Sequence, residues 1–166
     1  MLKLKPLSKD SIGHALERAK HYRLLNQPWQ AESICRDILN VEPSHQEALV
    51  TIILCITDQF AGGNRHDSEA REICANLTDK YQQKYYRGII AERSGKAALK
   101  RKTPRAKYIA YEFYRQALNF FEEAEKLQPE GDQDTVLRWN SCVRAIEQFK
   151  LEASPDEDYV VTLLDV

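Results

Sequence analysis

The chain has 166 residues, 43% of them apolar and 30% charged, with a formal net charge of -1. That length gives one domain with room for a buried core, and the composition is that of an ordinary globular protein. Near-neutral charge speaks against wholesale nucleic-acid binding, no run approaches the roughly 18 apolar residues of a membrane span, and the basic opening MLKLKPLSKD lacks the apolar core of a signal peptide. The expectation is a cytoplasmic protein with no membrane partner.

Apolar residues recur in threes and fours along nearly the whole chain, so almost every segment reads as helix. Ser8 stands as the cap of a first helix to about Leu25, with Ala15, Ala19 and Tyr22 on one face. Pro28 takes a first-helical position, and Trp29, Ala31, Ile34, Cys35, Ile38 and Leu39 form the apolar stripe of a second helix. Two or three residues join these helices, which therefore pack antiparallel as a hairpin. Beyond Pro43, the S-H-Q-E run from Ser44 to Glu47 reads as a capping box for a third helix, which reaches about Phe60 and is broken by AGGN. Asp67 or Ser68 caps a fourth helix bearing Ala70, Ile73, Cys74 and Leu77, and Asp79 opens a fifth through Tyr85, Ile89 and Ile90.

From Lys96 to Lys107 the chain carries six cations and no carboxylate. This reads as a basic loop, closed by Thr103-Pro104 as the cap and first residue of a sixth helix reaching Leu127. Gly131 and Asp134 introduce a seventh, with Val136, Trp139, Val143 and Ile146 along one side. Cys35, Cys55, Cys74 and Cys142 lie far apart with no C-x-x-C pair, which assigns them to core filling rather than to disulfides, a metal site or a nucleophile.

A series of paired helices calls for a search for repeats. Ala31, Cys35 and Ile38 match Ala70, Cys74 and Leu77, and again Ala117, Phe121 and Ala124; Pro43 and Pro129 each follow the leading alanine by twelve residues. Ala19 and Tyr22 precede Ala31 by twelve and nine. The pattern resembles the tetratricopeptide repeat, whose 34-residue unit places small residues where its two helices cross, an aromatic in the gap they leave and proline at the end. Residues 12–45 fit well, 46–79 replace the small residue and Tyr with Ile53 and Ile56, and 80–130 hold an insertion of about 17 residues between Gly88 and Ala117. The resemblance implies an all-α helical-hairpin solenoid in residues 1–150, of about three repeats plus a capping helix at 134–149, followed by an acidic and aliphatic tail at 151–166.

Members of that family generally bind an extended peptide or a helix on a concave surface lined by the first helix of each pair, and they are rarely enzymes. In this register the groove would include Leu16, Lys20, Arg23, Val50, Leu54, Tyr85, Ile89 and Arg93, with Arg138 or Asn140 from the last helix. Aliphatic residues in the middle and cations at the edges suit an aliphatic partner with acidic flanks. The two-Lys, two-Asn clamp by which the chaperone-tail binding subset of the family holds a terminal carboxylate is not matched, since Leu16 and Lys20 stand where its Lys and Asn belong. The implied function is a non-catalytic adaptor, scaffold or chaperone-like module without cofactor.

Two further features stay open. The tail from Glu152 to Val166 carries acidic residues and then Tyr159, Val160, Val161, Leu163 and Leu164, which fits either docking into the groove of its own chain or of a second copy, or completion of the core. The basic patch of Lys96, Lys100, Arg101, Lys102, Arg105 and Lys107 suits an acidic protein or, as the alternative function, a nucleic acid, although Phe113 and Tyr114 fall at helix-packing spacings. Catalysis has little support. His14, His21, His45 and His66 form no H-E-x-x-H, and no phosphate-binding glycine loop or nucleophile elbow occurs.

Overall fold

Local chemistry sets most of the helix ends. In the computed structural model, which describes residues 1–63 and 66–155, the helices are α1 Ile12–Leu24, α2 Pro28–Val41, α3 Gln46–Asp58, α4 Asp67–Ala75, α5 Lys80–Lys100, α6 Ala106–Glu125 and α7 Asp134–Phe149. No strand occurs among the described residues, so the fold is all-α. Helix α1 stops because Asn26 takes a left-handed φ of 58° and the Gln27 amide turns back to the Tyr22 carbonyl at 2.9 Å. Pro28 then starts α2, its missing amide costing nothing there. The Asp79 carboxylate accepts from the Tyr81 amide at 2.8 Å and caps α5.

Several local expectations need correction. Ser8 precedes a short 3-10 turn at Lys9–Ser11, so α1 itself starts after Ser11, and α4 starts at Asp67 after His66. The cap of α3 is His45, whose Nδ1 accepts from the Ala48 amide at 3.2 Å, and not Ser44. The helix begins one residue later because Gln46 is used elsewhere: its Nε2 donates to the Ser44 carbonyl, and its Oε1 accepts from the Thr78 amide at 2.8 Å. Trp29 is 68% exposed, since at 100° per residue it points away from the face that buries Ala31, Cys35 and Ile38 completely. Helix α6 starts at Ala106, because Thr103, Pro104 and Arg105 form a turn closed by the Ala106 amide on the Thr103 carbonyl. The last correction is the largest. The basic stretch is no long loop: α5 runs to Lys100, held by the buried Ala97 and Ala98, and the connection is only residues 101–105.

The insertion therefore lengthens two helices at once. Helices α5 and α6, with 21 and 20 residues, form an antiparallel hairpin roughly 30 Å long. Close approach is secured by glycine. A Cβ at Gly88 would meet the Phe121 ring at 2.5 Å, and one at Gly95 would meet Tyr114 at 3.0 Å. Seven residues up α5 correspond to seven residues down α6, so one antiparallel register accounts for both contacts. Ala110, Ala117 and Ala124, all fully buried, continue the small-residue seam on α6.

Most cross-links between hairpins join like ends, Lys20 with Glu47 excepted. Lys20 and Arg23 of α1 pair with Glu47 and Asp58 of α3; Gln46 and Leu54 of α3 bond Thr78 before α5 and Arg93 within it; Tyr81 and Glu92 of α5 meet Asp132 before α7 and Arg138 within it. Helices α1, α3, α5 and α7 thus lie side by side with the same sense. Each even-numbered helix packs on the odd-numbered helices before and after it. One apolar cluster, with Ile52, Ile53, Ile56, Phe60 and Leu77, joins α1 to α5, and a second, with Ile89, Phe113, Tyr114, Phe121 and Cys142, joins α5 to α7.

Candidate functional site

The odd-numbered helices present one continuous face, and a band of charge crosses it. Asp58, at the end of α3, binds Arg23 Nε at 2.7 Å and Arg93 at 2.8 Å, bridging α1 to α5. Arg93 also donates to the Leu54 carbonyl at 3.0 Å and to the Thr57 hydroxyl. Burial pulls the Arg93 guanidinium below its usual value, and Asp58 opposes that shift. One residue along, Glu92 lies 3.5 Å from Arg138 of α7; burial raises its carboxyl above the ordinary range, against the pull of Arg138 and Arg93. Burial also moves the pKa of Tyr85 upward, against the pull of Arg138 beside it. Three arginines therefore answer two carboxylates. At the α1 side, Lys20 sits between Glu17 at 3.1 Å and Glu47 at 3.0 Å, and these contacts raise its pKa.

Among the described residues, two shallow clefts bridge neighbouring helices of this face. The first, of about 150 Å³, is lined by Lys20, Gln46, Glu47, Val50, Thr51 and Gln82. The second, of about 370 Å³, is lined by Tyr85, Asp134, Leu137, Arg138 and Ser141. Gln82 and Tyr85 are three apart on α5 and share a face, so the clefts adjoin across that helix.

The residues expected in a groove divide into four groups. Lys20, Val50, Tyr85 and Arg138 line the clefts. Arg23, Leu54 and Arg93 are half-buried in the ionic band, and Asn140 is exposed on α7 outside both clefts. Leu16 and Ile89, exposed by 5% and 1%, belong to the core and cannot reach a ligand in this fold. The cations already hold carboxylates, which alters the expected charge preference. Asp58, Glu92, Gln82 and Leu137 were not foreseen. Asp58 left a signal: after Glu47 it is the only acid in an otherwise apolar α3, and such a charge must find a buried partner.

The basic patch lies apart, at the far end of the α5–α6 hairpin. Lys96, Lys100, Arg101, Lys102, Arg105 and Lys107 are all exposed there. Phe113 and Tyr114 are buried in the hairpin, as their spacing indicated, and Lys84 and Arg87 stack over Phe120. All four cysteines are buried and free; burial pushes Cys74 to about 11 and Cys142 to about 12, which suits packing rather than thiolate chemistry. No group of three or more metal-binding side chains occurs among the described residues, and no described helix is long and apolar enough to cross a membrane. Residues 156–166, where docking or core completion was expected, lie outside the described residues. Compared with family models, curated proteins and solved structures, the chain matches none.

Proposed function

We propose that this protein is a non-catalytic protein-interaction module of tetratricopeptide-like architecture, acting as an adaptor, scaffold or chaperone-like holder of a peptide or helical segment. The observation that carries the reading is the pair of clefts adjoining at Gln82 and Tyr85 on the face shared by α1, α3, α5 and α7. Val50, Tyr85 and the 64% exposed Leu137 supply apolar contact, and polar groups surround them. A partner would place aliphatic side chains over Val50 and Leu137. Its acidic residues would face the band of Arg23, Arg93 and Arg138, where three guanidiniums meet two carboxylates, and not Lys20, where one ammonium meets two.

A photo-crosslinking residue tests this reading when placed at Gln82 and, in a control, at Asn119 on the exposed face of α6. In cells, position 82 is expected to capture a discrete partner that position 119 does not, and Val50→Arg is expected to reduce that capture at least about tenfold, as loss of a central apolar anchor does. Equal labelling at both positions would remove the groove from consideration.

A further inference from the structure

The groove leaves the hairpin tip without a purpose. No carboxylate stands between Glu92 and Glu112 in the chain, and Lys100, Arg101, Lys102 and Lys107 make no ion pair among the described residues. Packing does not require these charges, because the hairpin beneath them is sealed by Ala97, Ala98, Ala106 and Ala110.

The course of α7 supplies an occupant. The helix runs parallel to α5: Arg138 meets Glu92, and Cys142, one turn further on, packs with Ile89 and Tyr114 in one apolar cluster. From there it advances toward the tip, at roughly 1.5 Å per residue. Leu151, 6% exposed, then joins the apolar cluster that contains Ala98 and Phe113. The described chain ends at Pro155. The eleven residues that follow hold Asp156, Glu157, Asp158 and Asp165 and no Lys or Arg, and fully extended they reach roughly 35 Å, about the length of the hairpin.

We propose that residues 156–166 dock on the α5–α6 tip of their own chain, with Asp156, Glu157 and Asp158 facing Lys100, Arg101, Lys102 and Lys107. One exposed ion pair contributes little. Tethering changes the balance, because it holds the acidic run at an effective concentration on the order of millimolar, so several weak pairs formed together outcompete a free anionic ligand. Docking covers the basic tip in the resting protein and leaves the groove on the face of the odd-numbered helices open, so the two surfaces work independently.

Zero-length carbodiimide cross-linking of the full chain, read by peptide mass spectrometry, tests this. Cross-links within one copy from Asp156, Glu157 or Asp158 to Lys100, Lys102 or Lys107 are expected at least about tenfold above links to Lys9 or Lys126, and falling sharply in about 0.5 M salt, where screening is strong. Arg101→Glu, an exposed change that keeps all three acceptor lysines, is expected to cut the yield severalfold. Evenly spread links overturn the proposal, as do links found only between isotopically distinct copies. It also fails if a random single-stranded oligonucleotide binds wild type as tightly as Asp156→Asn/Glu157→Gln/Asp158→Asn, and binding is lost on Lys100→Glu/Arg101→Glu/Lys102→Glu. That result would assign the tip to nucleic acid.

Discussion

Glu92 shows what one buried charge does to the protein. Its folded pKa is raised, chiefly by burial, above the ordinary value of about 4.3. Below that value the side chain is neutral in both folded and unfolded states, and its stabilising contribution is complete. As pH rises through the folded pKa the carboxylate must ionise inside the fold, and that contribution is lost. Glu92→Gln keeps the shape and never ionises. It should match wild type in thermal midpoint at pH 4 or below and exceed it at pH 7. A variant less stable at pH 7 would show that pairing with Arg138 outweighs burial. The residue itself is plain in the sequence, beside Arg93, but its environment is not. Only α7 laid against α5 makes it a buried carboxylate facing Arg138.

At the scale of elements, the α5–α6 hairpin carries the most specific packing. Gly88→Ala should cost about 1–2 kcal/mol net: overpacking against a buried ring costs roughly 1–3 kcal/mol, and the better helix former returns up to about 1. For a chain of this size that lowers the melting midpoint by a few degrees. Gly95→Ala should cost less than Gly88→Ala, because its nearest contacts, at 3.0–3.3 Å, require Tyr114 to give by only a few tenths of an ångström. Adding Phe121→Leu to Gly88→Ala should recover part of the loss if the ring is the obstacle. The same hairpin shows where periodicity misleads. Charge clustering from Lys96 onward resembles a loop, yet Ala97 and Ala98 keep the period of α5 on its inner face while lysines occupy the outer one.

For the molecule as a whole, α7 is the decisive cover. It buries Cys142, carries the chain on to the buried Leu151, and places Trp139, Val143 and Ile146 against the cluster built on Phe113, Tyr114 and Phe121. At roughly 1.5–3 kcal/mol for each well-buried apolar side chain, its removal costs on the order of 5 kcal/mol. A chain ending before Asp134 should therefore melt at least about 10 °C lower and bind a hydrophobic dye. A midpoint within 3 °C of wild type, measured by calorimetry, would show that the first six helices need no cover.

By itself the sequence determined the helices, their number along the described chain and most of their inward faces. Pro28, Asp79 and the three-and-four spacing of alanine, cysteine and isoleucine act within a turn or two of chain, so they are legible without a fold. The tertiary structure alone decided which charges are spent. Lys20, Arg23, Arg93 and Arg138 read as cations awaiting a ligand, and each is matched by a carboxylate brought from another helix, Lys20 by Glu17 of its own as well. It also decided that Leu16 and Ile89 are core and that Trp29 is not. The reason is distance along the chain. Helical periodicity is fixed by neighbours three and four residues away, whereas an ion pair such as Arg23 with Asp58 joins residues 35 apart and exists only once α1 and α3 lie parallel.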